Sequence, residues 1–157
     1  VILGSGDGKE EQAFRELARA YPTRIGVFIG FDDGLARRIF AGTDFFLMPS
    51  RFEPCGLAQQ YAMRYGSLPI GRRTGGLADT IIHYSRSTRH ANGFLFEKAN
   101  PSSFAKVVNR AIRLFQNPRK FASIQGNALQ SPFSWESAAR QYADVYGWAM
   151  EIPSKEK

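Results

Sequence analysis

The 157-residue sequence predicts an α/β fold, a parallel sheet covered by helices on both faces. Short apolar runs alternate with stretches of helical period, the order that strand–helix–strand units require. The runs are compact rather than alternating, and Phe45-Phe46-Leu47-Met48 reads as a strand buried on both faces. Glycine-bearing turns follow several of these runs, where a parallel sheet places its strand-to-helix connections. At this length, with 43% hydrophobic residues, one domain can bury a sufficient core without a disulfide or a metal.

Val1 to Gly4 is the first strand, and Lys9 to Tyr21 a helix with Phe14, Leu17 and Ala18 on one face and Arg15, Glu16 and Arg19 on the other. Pro22 ends it, and Ile25 to Phe31 returns as strand. Asp32 or Asp33 caps a short helix through Leu35, Ile39 and Phe40, before the Phe45–Met48 strand. Pro49 and Pro54 bracket a loop, Leu57 to Tyr65 reads as helix, and Leu68 to Gly71 as a short strand before Arg72-Arg73-Thr74-Gly75-Gly76. Tyr84 to Asn92 is polar and basic and reads as a mobile loop, and Gly93 to Phe96 as the last strand. Helices over Pro101–Gln116, Pro118–Leu129 and Ser134–Met150 complete the chain, with proline tolerated at two helix starts and Ser134 as an N-cap.

Lys and Arg number 21 against 14 Asp and Glu, giving +7 with both His neutral. The single cysteine, Cys55, excludes an internal disulfide, and with two His no zinc cluster of the usual kind assembles, which points to a reducing compartment. No apolar run approaches the roughly 20 residues of a membrane span, and the first residues lack signal-peptide order. The opening Val-Ile-Leu-Gly reads as a strand already under way with no initiator Met, so a preceding segment is expected. The end, Ile152 to Lys157, has the composition of a frayed tail.

In an open parallel sheet, ligands sit beyond the carboxyl ends of the strands. Three segments belong to that edge: Gly4-Ser5-Gly6, Ser50 to Leu57, and Arg72 to Leu77. Their glycines let backbone approach a phosphate, Thr74 adds a hydroxyl, and Arg72 and Arg73 supply charge against a diphosphate. Taken singly, such loops are more often tight turns with solvated arginines; two in consecutive strand–helix units favour a nucleotide. Glu53, between Phe52 and Pro54, is a carboxylate suited to sugar hydroxyls or to positive charge at a reacting carbon, the plainer role being a helix-terminus carboxylate. Phe31 at a strand end offers a face for a base, although core packing explains most of the 13 phenylalanines. Cys55 has no histidine near it in sequence and reads as a structural thiol, and neither His83 nor His90 receives a role.

The string from Phe45 through Ser50-Arg51-Phe52-Glu53-Pro54-Cys55-Gly56-Leu57, followed by Tyr61-Ala62-Met63-Arg64-Tyr65-Gly66 and Arg72-Arg73-Thr74-Gly75-Gly76-Leu77-Ala78-Asp79-Thr80, closely resembles bacterial glycogen synthases and plant starch synthases. These are retaining glycosyltransferases of the GT-B type, with two Rossmann-like domains. The resemblance implies that residues 1–150 are the C-terminal, donor-binding domain, ending in helices, with 151–157 as a tail. It implies binding of ADP-glucose or ADP, and transfer of glucose with retention to the non-reducing end of an α-1,4-glucan held by an N-terminal domain before Val1.

By the same resemblance Glu53 is the catalytic carboxylate against the donor glucose, and Cys55, Gly56 and Leu57 face sugar and phosphate. Phe31 lies against adenine, Tyr61 stands at the ribose position, and Arg73, Thr74, Gly75, Gly76 and Leu77 line the diphosphate. Tyr61 replaces the second glutamate of related transferases, as is usual in the synthases. Ala58, Gln60 and Gly71 depart from the synthase pattern, which touches donor affinity and local packing. The resemblance implies no metal or other cofactor, no specific nucleic acid and no membrane. The compartment it implies is the cytoplasm of a bacterium, or the plastid if the source is a plant. Because both domains supply groups to the reaction, the chain alone is expected not to catalyse. The alternatives are another retaining nucleotide-sugar transferase domain, a basic polyanion-binding module, and a folded remnant that binds nothing.

Overall fold

Strands and helices alternate through the first two-thirds of the chain in the computed structural model, which describes residues 1–151. The order is β1 (Ile2–Gly4), α1 (Gly8–Ala20), β2 (Val27–Ile29), α2 (Asp33–Gly42), β3 (Phe45–Met48), α3 (Ala58–Arg64), β4 (Leu68–Arg72), α4 (Gly75–Thr80) and β5 (Phe94–Phe96), then α5 (Pro101–Phe115), α6 (Pro118–Leu129) and α7 (Trp135–Glu151). The frayed tail expected at the end falls, from residue 152 onward, outside the described residues.

Helix starts follow local chemistry. Asp7 accepts from the Lys9 amide at 2.9 Å, Asp32 from Leu35 at 2.8 Å, Asn100 from Ser103 at 2.8 Å, Asn117 from Lys120 at 3.2 Å, and Ser134 from Ser137 at 3.2 Å. The choice between Asp32 and Asp33 thus falls to Asp32, and Ser134 caps as predicted.

All strand pairs are parallel, but they form two sheets rather than one: β1–β2, and β3–β4–β5 in that order. In register, Phe45 stands opposite Leu68 and Ile70 opposite Phe94. The parallel α/β arrangement expected from the strand pattern holds, divided into two sheets because no strand among the described residues joins β3 to β1 or β2. Met48 is buried, but Leu47 is 51% exposed, so β3 is an edge strand and is not buried on both faces.

Helices cover both faces of the three-stranded sheet. On one face Leu68, Ile70, Phe94 and Phe96 pack with Met63 of α3, with Val107, Ala111 and Leu114 of α5, and with Phe121, Ile124 and Ala128 of α6. Met48 and Leu95 face the other way, against Leu77 and Ile81 at α4. The alternation along β5, with Phe94 and Phe96 to one side and Leu95 to the other, is the period-2 placement of a strand. Residues 84–92 leave the surface at their far end, where Ala91 and Asn92 are buried. Asn92 accepts from the Ile82 amide at 2.7 Å and donates to the Thr80 carbonyl at 3.1 Å, which ties the loop's end to α4.

Candidate functional site

At the carboxyl ends of β3 and β4 the loop 50–57 and the turn 72–77 are joined backbone to backbone. The Gly76 amide donates to the carbonyls of Glu53 at 3.0 Å and Pro54 at 3.2 Å. A β-carbon at Gly76 would lie 1.8 Å from the Cys55 carbonyl oxygen, and one at Gly75 2.0 Å from that of Glu53. Only residues without a side chain allow this approach. The expected use of these glycines was closeness to phosphate; the space they open is filled first by the neighbouring loop.

Arg72 serves the same joint. Its Nε donates to the Ser50 carbonyl at 2.8 Å and its Nη2 to the Arg51 carbonyl, so this guanidinium anchors the loop and is not free to offset a diphosphate. Arg73 turns to Glu97, with Nε 2.7 Å from Oε1 in an exposed pair. Both arginines read as free charges from the sequence; one is committed to backbone carbonyls, while the other is held by a pair that exposure keeps weak.

Gln59, which the sequence does not single out, completes the joint. It is fully buried, and its Nε2 lies 3.1 Å from the Cys55 carbonyl, 2.7 Å from the Gly56 carbonyl and 3.1 Å from Thr80 Oγ1. Thr80 in turn donates to the Gly76 carbonyl at 2.6 Å. One amide therefore braces the 55–56 turn against α4. Gly56 has φ +71°, and a β-carbon there would meet Gln59 Oε1 at 2.5 Å, so a side chain is excluded by both backbone and neighbour. The only sequence signal for Gln59 was a polar residue on the inward face of a helix beginning at residue 58.

On this frame Glu53 is partly buried, and the Ser50 hydroxyl donates to its Oε2 at 3.4 Å. Thr74 is the N-cap residue of α4, but its side chain makes no capping hydrogen bond and stays available. Cys55 and Leu57 are exposed, and Leu77 is buried in the core with Met48, Ile81 and Leu95. The structure thus brings Glu53, Cys55, Gly56, Leu57, Thr74, Gly75, Gly76 and Leu77 into one cluster, with Arg73 at its margin.

Phe31 and Tyr61 are not part of the joint. Phe31 follows β2 in the separate sheet, and its ring is 91% exposed, which rejects a core role and leaves a face open to a planar partner. Tyr61 packs on Phe40 of α2 with ring centroids 6.1 Å apart. It also borders a cavity of about 440 Å³ with Gln60, Arg64, Phe133 and Ser134. A second cavity of about 440 Å³ lies along α7, lined by Gln60, Phe133, Tyr142 and Val145 among others. Neither cavity is lined by Glu53 or by the 72–77 turn. Among the described residues no group of three or more His, Cys, Asp or Glu is placed to hold a metal, and no helix is long and apolar enough to cross a membrane.

Comparison with known proteins bears on what such a cluster serves. The chain is similar to the glycogen synthase of Pseudomonas syringae pv. syringae, 48% identical over 146 residues that cover 93% of this chain and 29% of that protein. It is 47% identical to the glycogen synthase of Haemophilus influenzae, covering 93% of this chain and 31% of that one. Among solved structures it matches the catalytic domain of starch synthase IV from Arabidopsis thaliana bound to ADP and acarbose. The TM-score is 0.80 and the identity 31%, over 96% of this chain and 32% of the other. The chain spans about a third or less of the length of these proteins. The parallel sheet with helices on both faces matches the GT-B glycosyltransferase fold. The family model described as "Glycosyl transferases group 1" matches residues 1–125, most of the chain and both joined loops, and this chain belongs to that family.

Proposed function

We propose that this chain is the donor-binding part of a glycogen or starch synthase and takes ADP-glucose. The observation that carries the proposal is the joint itself, which holds a partly buried glutamate and a Thr-Gly-Gly turn on one rigid backbone unit. Identity to glycogen synthases and the likeness to a starch synthase bound to ADP and acarbose support the choice of nucleotide and glucan over other sugars and acceptors.

In this reading the sugar lies against Glu53, whose carboxylate stabilises positive charge developing at the anomeric carbon as the bond to the diphosphate breaks. Cys55, Gly56 and Leu57 border the sugar, Thr74 to Leu77 receive the diphosphate, Phe31 takes the adenine and Tyr61 stands toward the ribose. Arg73 reaches the diphosphate by exchanging its exposed partner Glu97 for a doubly charged one. No metal or other cofactor is required of these residues. The glucan acceptor is held by a further domain of the longer protein, which acts in the cytoplasm of a bacterium or a plant plastid, and the 157-residue chain alone does not transfer glucose.

Calorimetric titration of the chain tests this. ADP binds saturably and in preference to UDP. Glu53→Ala leaves ADP affinity within about threefold while weakening ADP-glucose about tenfold, the loss expected for a charged hydrogen bond to the sugar. Preference for UDP would assign a different nucleotide sugar. Absence of binding to either nucleotide, by a chain with a cooperative unfolding transition, would refute the proposal.

A further inference from the structure

The charge of this protein is concentrated in one segment. Between residues 80 and 135 stand eight of the 21 Lys and Arg residues and a single acid, Glu97, so this stretch alone accounts for the whole +7 and the rest of the chain is balanced. Four of those eight, Arg86, Arg110, Arg113 and Lys120, line one cleft of about 500 Å³, with Tyr84 and Leu114 among its other walls. None of the four belongs to an ion pair among the described residues, and Glu97 is already taken by Arg73.

The cleft shares no lining residue with the candidate donor site, although His83 lies near both Arg110 and Arg73. Helix α5 leaves the carboxyl end of β5 and runs back, so Arg110 and Arg113 in its second half lie toward the amino ends of the strands. There Phe115 and Phe121 pack on Phe45, the first residue of β3, at ring distances of 6.0 and 5.5 Å. Glu53 and the 72–77 turn are at the opposite ends of the strands.

Arg110 is exposed and finds no protein acceptor among the described residues. Its Nη1 is 2.9 Å from His83 Nε2, while His83 Nδ1 accepts the Leu95 amide at 2.8 Å. A neutral imidazole that accepts at Nδ1 carries its hydrogen on Nε2, so the guanidinium meets a second donor there. An anion in the cleft would supply Arg110 with the acceptor that His83 does not. Arg113 complements the carboxyl end of α5, and that accounts for one of the four cations but not for their convergence. Four like charges around one cavity repel one another until an anion enters. A cavity of this volume has the size of a small-molecule site.

We propose that this cleft binds a small polyanion carrying two or more phosphate groups, with Arg86, Arg110, Arg113 and Lys120 as its ligands. Titration of the chain with inorganic tripolyphosphate in 150 mM salt tests it. Binding is saturable, and the Arg113→Ala/Lys120→Ala double variant loses at least about tenfold in affinity for the cleft. A Lys106→Ala/Arg119→Ala control, which removes the same charge outside the cleft, stays within about twofold. Amide chemical-shift changes centre on residues 84–86 and 110–120. Equal loss in the two double variants would show charge without a site, and loss in Arg73→Ala alone would place the phosphates in the donor loop. Tighter binding of a 20-base-pair duplex, abolished by the same cleft variant, would make this a nucleic-acid face. Each of these results, and absence of binding, overturns the proposal.

Discussion

The two sheets of this molecule are built on different principles. No apolar side chain before Met48 is buried, whereas β4 and β5 are almost wholly enclosed and their side chains form the two core clusters. The first 44 residues rest mainly on local devices, the Asp7 and Asp32 caps, the Arg15–Glu11 and Arg37–Asp33 pairs one helical turn apart, and three residues of parallel pairing between β1 and β2, and reach the second unit through Phe40, whose ring packs on Phe46, Tyr61 and Tyr65. Each such device contributes from a few tenths to about 1 kcal/mol. Enclosing an aromatic residue contributes several times that. The joined loops therefore stand on the firm unit, and Phe31 on the soft one.

The sharpest test removes one side chain from each unit. Phe94→Ala, at the centre of the larger cluster, is expected to cost about 3–5 kcal/mol in urea unfolding. Leu3→Ala on partly covered β1 is expected to cost less than about 1.5 kcal/mol, because little apolar surface returns to water. Equal losses would erase the distinction between the units.

Gly76→Ala comes next. Its methyl group would fall inside the Cys55 carbonyl, so backbone must move, and about 1–3 kcal/mol is expected to be lost. If the donor proposal holds, ADP binding goes with it. A variant of unchanged melting temperature would mean that the joint is looser than its geometry. Asp7→Ala removes the cap of α1 at a cost of about 1 kcal/mol. In hydrogen exchange that loss is expected to open residues 8–20 while leaving β4 and β5 protected.

The smallest effect is one of pH. Burial first, and then the nearby Arg110 and Arg73, hold His83 below its ordinary 6.5, against a smaller opposing pull from Glu97. As the pH falls through 6.5 the unfolded chain takes up a proton that the folded chain still refuses, so stability declines with acid. The urea midpoint is expected to be lower at pH 5.5 than at 7.5, and His83→Gln to flatten the difference.

Much of the fold was legible because its signals are local. Pro101 and Pro118 open helices where the sequence places them, and the apolar run Phe45–Met48 is a strand to the residue. What escaped is non-local. Nothing in Phe45–Met48 announces that β3 lies at the edge of its sheet, so the same run reads as doubly buried. The cluster around Glu53 was legible as a set of residues but not as a mechanism of assembly. That Arg72 spends its guanidinium on two carbonyls, and that Gly75 and Gly76 make room for residues 53–55, depends on which loop lies opposite. Gln59 was invisible for the same reason, since its partners come from residues 55, 56 and 80.

Surface turns usually tolerate insertions and sequence drift because they answer only to the strands they connect. The joined turns here are an exception. Shifting residues 72–77 by one position would drag Glu53 with it, and lengthening 50–57 would unseat the glycines, so changes in one turn are expected to be tolerated only with matching changes in the other. For anyone altering the specificity of this protein, the unit of redesign is the pair of turns, exchanged together.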